Sequence, residues 1–244
     1  INIYIKQKGN RMCSKGFTLA ETLITLGIIG VVAAMTLPTL IQQHNNKVVE
    51  TRLMKFYSSI NQAIKMAEVD YGDKKIWYED LEGAQMDEDG NPIEGTSKSE
   101  KWFRKYLAPY MKILKIETQK DGSFLVYFPD GSALRPIAAT TRDWVFYPGK
   151  PDKCIKTYGL QYSNTNGICS FAFNFMPTVN SEMWKYHYNK GIEPWKWQWD
   201  GTRTSLMEGC KGKNSGSISK QYCTALIQYE NWKIPDDYPY KVSY

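Results

Sequence analysis

The sequence predicts an α+β fold, a long N-terminal helix laid on an antiparallel sheet. Three observations predict it. A dense apolar block near the N-terminus runs without a break into a stripe of apolar residues at helical spacing. Beyond residue 71 the chain becomes turn-rich and aromatic, with short alternating runs. The mean hydropathy stays negative, at -0.49, in spite of the block. That last value excludes a multi-span membrane protein, and 14% aromatic residues exclude wholesale disorder. The 244 residues suffice for one sizeable domain, or one domain and an appendage. The net charge of +6 is unevenly placed. Lys6, Lys8, Arg11 and Lys15 precede the apolar block, and no acid does. Without those four, 27 Lys and Arg remain against 25 Asp and Glu, so the charge gives no strong case for a nucleic-acid or acidic partner.

The first element is residues 17–41. Its 25 residues carry one charge, Glu21. As a helix it spans roughly 37 Å, enough to cross the hydrocarbon core with some tilt. The cations lie on its N-terminal side, so that end is expected in the cytoplasm and the remainder exported. The apolar core is too long for a cleaved secretory signal, and Ala33-Ala34-Met35 is a poor site for one. A plain signal anchor fits the length but gives no reason for Glu21.

The residues Ser14-Lys15-Gly16-Phe17-Thr18-Leu19-Ala20-Glu21 resemble the leader junction of type IV pilins and type II secretion pseudopilins. Close resemblance covers about residues 12–70. It implies a pilin-like fold and cleavage between Gly16 and Phe17 by a prepilin peptidase. The same enzyme would N-methylate Phe17, and Glu21 would be the family's glutamate, fifth from the new terminus. Pro38 matches a helix-kinking proline common in the family. A start at Met12 gives the five-residue leader MCSKG, so residues 1–11 are expected to be upstream sequence or a non-methionine start. The implied partners are the inner membrane, the prepilin peptidase/methyltransferase, other pilin or pseudopilin subunits, and an assembly platform with its ATPase. The implied location is the bacterial inner membrane, crossed once, and then a periplasmic or extracellular filament. Glu21 has a physical rationale of its own. A carboxylate in lipid costs at least ~2.5 kcal/mol and is normally kept for a partner. The Phe17 amine freed by cleavage on a neighbouring copy is one such partner. Capping of the first helical turn is the alternative.

Helical spacing continues past Pro38. Val49, Leu53, Phe56, Ile60, Ala63 and Ala67 form a stripe with steps of 4, 3, 4, 3 and 4, and the charged residues fall largely off it. The helix is expected to end near Tyr71-Gly72. The expected division is leader 1–16, membrane and assembly helix 17–41, amphipathic second half 42–70, and head 71–244.

In the head, Gln85–Gly95 is an acidic loop. Its spacing does not match an EF-hand, and Asp-Gly-Asn-Pro reads as a turn. Ser99–Leu107 reads as a short helix burying Trp102, Phe103, Tyr106 and Leu107. Ser123–Phe128 and Ser132–Ile137 read as a hairpin around Pro129-Asp130-Gly131. Arg142–Tyr147 and Ile168–Met176 read as strands, the latter with Cys169, Phe171, Phe173 and Phe175 on one face, over the helix. Ser219–Tyr229 reads as a short helix.

Cleavage removes Cys13 and leaves Cys154, Cys169, Cys210 and Cys223. An even set in an exported head predicts two disulfides, with three connectivities open. Cys154–Cys169 and Cys210–Cys223 are preferred because each closes a short loop, worth about 3 kcal/mol by chain entropy. Four free thiols are the alternative. The cysteines do not have zinc-site spacing, and no cofactor is expected. The two histidines, His44 and His187, belong to no catalytic motif, so no enzymatic role is expected. Trp195, Trp197 and Trp199 alternate. On an exposed strand they would make a stacking platform for sugars or single-stranded nucleic acid, and facing inward they are core or an inter-subunit surface. The leading expectation is thus a structural pilus or pseudopilus subunit. The alternatives are a minor tip subunit binding glycan or DNA, and a monomeric membrane-anchored surface protein.

Overall fold

The computed structural model describes residues 18–137, 140–159, 162–212 and 220–244. It divides into two compact units, residues 1–41 and 42–244. Helix α1 (Leu19–Tyr71) contributes to both. It ends where the sequence predicts, at Tyr71, followed by Gly72 at φ +84°, a conformation glycine adopts without a steric penalty.

In the second unit the predicted stripe is the buried face of α1. Val49, Leu53, Phe56, Ile60, Ala63 and Ala67 are all buried, and Ile64 with them. They pack on a six-stranded antiparallel meander of β1 (Lys115–Thr118), β2 (Phe124–Tyr127), β3 (Ala133–Pro136), β4 (Asp143–Tyr147), β5 (Phe171–Asn174) and β6 (Glu193–Pro194). Register explains the packing. Val126 pairs with Leu134, Leu134 with Phe146, and Phe146 with Phe171, so one apolar row crosses four strands. Phe56 stacks on Phe146 with ring centroids 4.3 Å apart and meets Phe173 edge-on at 5.2 Å. Helix α2 (Lys74–Trp77) and helix α3 (Lys98–Tyr106) close this core with Trp77, Trp102 and Phe103. Ser97 caps α3 by accepting from the Glu100 N–H.

The other sheet face is also covered, which the sequence did not suggest. Leu125, Ala133, Val145 and Tyr147 pack with Cys154 of helix α4 (Pro151–Tyr158) and with Cys169. This corrects the strand expected over Ile168–Met176. After the short helix α5 (Tyr162–Thr165), the Thr165 carbonyl accepts from the N–H groups of Ile168, Cys169 and Ser170. Those residues therefore turn, with Ser170 bridging only Asn166, and β5 starts at Phe171. Phe171, Phe173 and Phe175 do face the α1 core, whereas Cys169 joins the opposite cluster. Helix α6 (Arg203–Cys210) and helix α7 (Cys223–Tyr229) make a third cluster around the Cys210–Cys223 disulfide. Helix α7 is shorter than the Ser219–Tyr229 expected, and Ser219 lies outside the described residues. The second disulfide is Cys154–Cys169, so both are the local pairs that loop length favours.

Polar bonds fix the helix to the sheet edge. Tyr57 donates to Glu193 Oε1 at 2.7 Å, and Asn61 donates to the Ile192 carbonyl at 2.9 Å. Lys196 and Gln228 reach the other Glu193 oxygen, so this largely buried carboxylate is fully engaged.

Candidate assembly site

Helix α1 begins with a capping box. Thr18 stands before the first helical residue. Its N–H and hydroxyl donate to Glu21 Oε2 at 2.8 and 2.9 Å, and the Glu21 N–H donates to Thr18 Oγ1 at 3.2 Å. The capping reading of Glu21 is therefore realised within the chain. Among the described residues, both bonds to the carboxylate fall on Oε2. Gly16 and Phe17, the expected cleavage and methylation positions, lie outside the described residues.

From Leu19 to Ile41 no large apolar side chain is covered by the described residues of its own unit. Leu23 is 62% exposed and Ile29 63%. The segment contains a window of mean hydropathy 2.2, long and apolar enough to cross a membrane. Its few hydroxyls suit lipid. Thr22, Thr25 and Thr36 each donate to the carbonyl four residues back, at 2.8, 2.9 and 3.0 Å. Pro38 lies inside the helix, which runs on through it. It has no N–H to give the Ala34 carbonyl.

The second unit begins at Gln42, and contacts begin at once. Gln42 donates to the Val242 carbonyl at 3.1 Å, and His44 Nε2 lies 3.0 Å from the Tyr244 hydroxyl. Further along, between residues 52–66 of α1 and the sheet, is a groove of about 520 Å³. Phe56, Met66, Met111 and Phe128 give it apolar walls, and Arg52, Lys55 and Lys112 place cations at it. No sequence pattern marked this groove. Its residues come from α1, from the segment Tyr110–Lys112 at the end of a 3-10 turn (Ala108–Tyr110), from the β2–β3 turn, and from β4 through Phe146.

The acidic loop is a small ordered hairpin. Met86 bridges Pro92, the Asp87 N–H donates to the Asn91 carbonyl, and the Ile93 N–H donates to the Gln85 carbonyl. Asp87 Oδ1 accepts from the N–H groups of Asp89 and Asn91 at 3.0 and 2.8 Å, so that carboxylate shapes the turn. Among the described residues no three His, Cys, Asp or Glu side chains gather as metal ligands.

The tryptophan alternation does not build a platform. Strand β6 stops at Pro194, and the chain turns through Trp197-Gln198, with Gln198 at φ +57°. Trp195 is buried. Trp197 lies beside Trp184, and Trp199 packs on Tyr186 and Tyr229. The three rings therefore share no face. Nearby His187 is fully buried, and its Nε2 accepts from the Lys196 N–H at 3.1 Å. Burial first, and then the Lys196 charge, push its pKa down to about 3, so it is a neutral core residue.

Residues 39–242 match a family of unknown function (DUF6613). Residues 11–37 match the prokaryotic N-terminal methylation motif, the signature of type IV pilins and pseudopilins. No curated protein and no solved structure matches the chain.

Proposed function

This chain belongs to the DUF6613 family, and from that premise we propose that it is a structural subunit of a type IV pilus or type II secretion pseudopilus. One observation carries the reading. A methylation motif at residues 11–37 leads into an apolar helical segment that finds no partner in its own unit. A bare segment of this kind is stable in a bilayer or against identical segments, and not in water.

In this reading the leader 1–16 is cut after Gly16 and the new Phe17 amine is methylated. Residues 17–41 hold the subunit in the membrane and later form the fibre interior. Residues 42–70 and the head 71–244 ride outside. Glu21 serves twice. Thr18 occupies Oε2, and Oε1, without a partner among the described residues, receives the terminal amine of a neighbour. A buried pair of this type is costly when either partner is missing, so it sets the register of addition. Pro38 supplies a bend. The peptidase, platform and ATPase are partners that the motif implies.

Two variants test the reading. Gly16→Ala is expected to block maturation, and intact-mass analysis that finds a normal mature N-terminus would overturn it. Glu21→Gln keeps an acceptor for the capping box and removes the charge. Processing is expected to continue while fibre yield falls at least ~10-fold, in keeping with the loss of a buried charge partner. Unchanged yield would leave Glu21 with capping alone.

A further inference from the structure

The acidic hairpin and the cationic groove are complementary, and one chain cannot join its own pair. The hairpin hangs on the β1–β2 turn, where the Ala84 N–H donates to the Gly122 carbonyl at 2.8 Å. The groove is walled by the β2–β3 turn, through Phe128, Pro129 and Asp130. These turns lie at opposite ends of the β1–β2 hairpin, because Thr118 pairs with Phe124 at one end and Lys115 with Tyr127 at the other.

Residues 85–95 carry Asp87, Glu88, Asp89 and Glu94 and no cation. All four acids are exposed. Met86 and Ile93 are exposed beside them, at 43% and 42%. The groove is lined by Arg52, Lys55 and Lys112 against one carboxylate, Asp130; the Arg52 guanidinium donates to the Pro148 carbonyl and lies over the Tyr244 ring, so Lys112 is the cation left for an incoming acid among the described residues. Asp130 pairs with Lys55 at 3.0 Å. Lys112 has no carboxylate within ion-pairing distance among the described residues. The hairpin is already ordered by its own hydrogen bonds, so docking it costs little conformational entropy.

We propose that residues 85–95 of one copy seat in the Arg52–Lys55–Lys112 groove of the next, with Met86 or Ile93 entering between Met66, Met111 and Phe128. The two surfaces differ and sit at opposite ends, so the contact is heterologous. A heterologous contact closes into a ring or propagates as an open helical array. Charge complementarity sets which faces meet and excludes like-charged pairings. This inference deepens the polymer reading above and rests on it for the presence of neighbouring copies.

The test uses the full chain in membranes with two differently tagged forms, one Ser59→Cys in the groove and one Glu88→Cys in the hairpin. Both positions are exposed, and the four native cysteines of the head are already paired. Mild oxidation is expected to join the two forms to each other and neither form to itself. Lys112→Glu in the groove form should lower the cross-link about tenfold, and Asp89→Lys in the hairpin form should restore it. Fibre yield and N-terminal mass are scored separately. Fibres without the cross-link overturn the contact and leave the polymer reading standing. The cross-link without fibres supports the contact and sinks the polymer reading. Neither fibres nor cross-link overturns both. A different polypeptide captured by the groove thiol of the Ser59→Cys form, in place of residues 85–95, also overturns the proposal.

Discussion

One helix presents two chemistries. Between Leu19 and Ile41 its apolar side chains are bare, whereas between Val49 and Ala67 an apolar stripe is covered by a sheet. Ile29 is 63% exposed and Ile60 fully buried, although both are isoleucines in the same α-helix. The difference is one of pattern. The second half restricts its apolar residues to one stripe that the sheet can cover. The first half is apolar all round, and a helix of that kind calls for a wholly apolar host. Hydrophobic content alone therefore says little, and the distribution around the helix says which partner each half was built for.

The sharpest way to break this comparison is truncation in each half. Phe56→Ala removes the ring that stacks on Phe146 and is expected to cost the head about 3–5 kcal/mol. Ile29→Ala should change head stability by no more than about 0.5 kcal/mol. Denaturant unfolding of the detergent-solubilised chain measures both, and comparable losses would abolish the distinction. Next comes the disulfide framework, confined to the head. Replacing Cys210 and Cys223 by serine opens the 12-residue loop between them and should cost about 3 kcal/mol. An unshifted melting temperature would refute that. The smallest effect is a pH response placed in the head by His187. Its folded pKa of about 3 lies below the usual 6.5. Above pH 6.5 both states are neutral there and nothing changes. As pH falls from 6.5 toward 3 the unfolded state takes a proton that the folded state refuses. Stability should therefore decline by up to about 1.4 kcal/mol per pH unit, or ~2 kcal/mol by pH 5. His187→Gln should flatten that limb of the stability–pH curve, and an unaltered slope would assign it to other groups.

The same contrast explains what could be read in advance. The buried stripe was legible because steps of three and four admit one interpretation. The β2–β3 hairpin was legible because Pro129-Asp130-Gly131 leaves few options for the backbone. The local cysteine pairs followed from loop length. Helix α4 escaped notice although Pro151 at its start and Asp152 in its first turn are start signals, because eight residues give a weak period. Strand β1 escaped because Lys-Ile-Glu-Thr at a half-exposed edge carries almost no alternation. The tryptophans admitted two readings because their spacing obeys a strand period, which lapses where Pro194 ends the strand. The groove was invisible because four distant segments build it, and tertiary geometry alone brings them together. The capping box was open to sequence reasoning, since Thr18-x-x-Glu21 is its usual form.

The uncovered half of α1 also governs how this protein can travel. Twelve large apolar side chains between Leu19 and Ile41 stand open, and returning each to an aqueous phase costs about 1.5–3 kcal/mol when fully transferred. Escape into bulk solvent is thus effectively forbidden, and any change of residence must follow a continuous oily path. On the subunit reading proposed above, copies held in the bilayer form a stock that passes sideways into a fibre and, by the same route, returns.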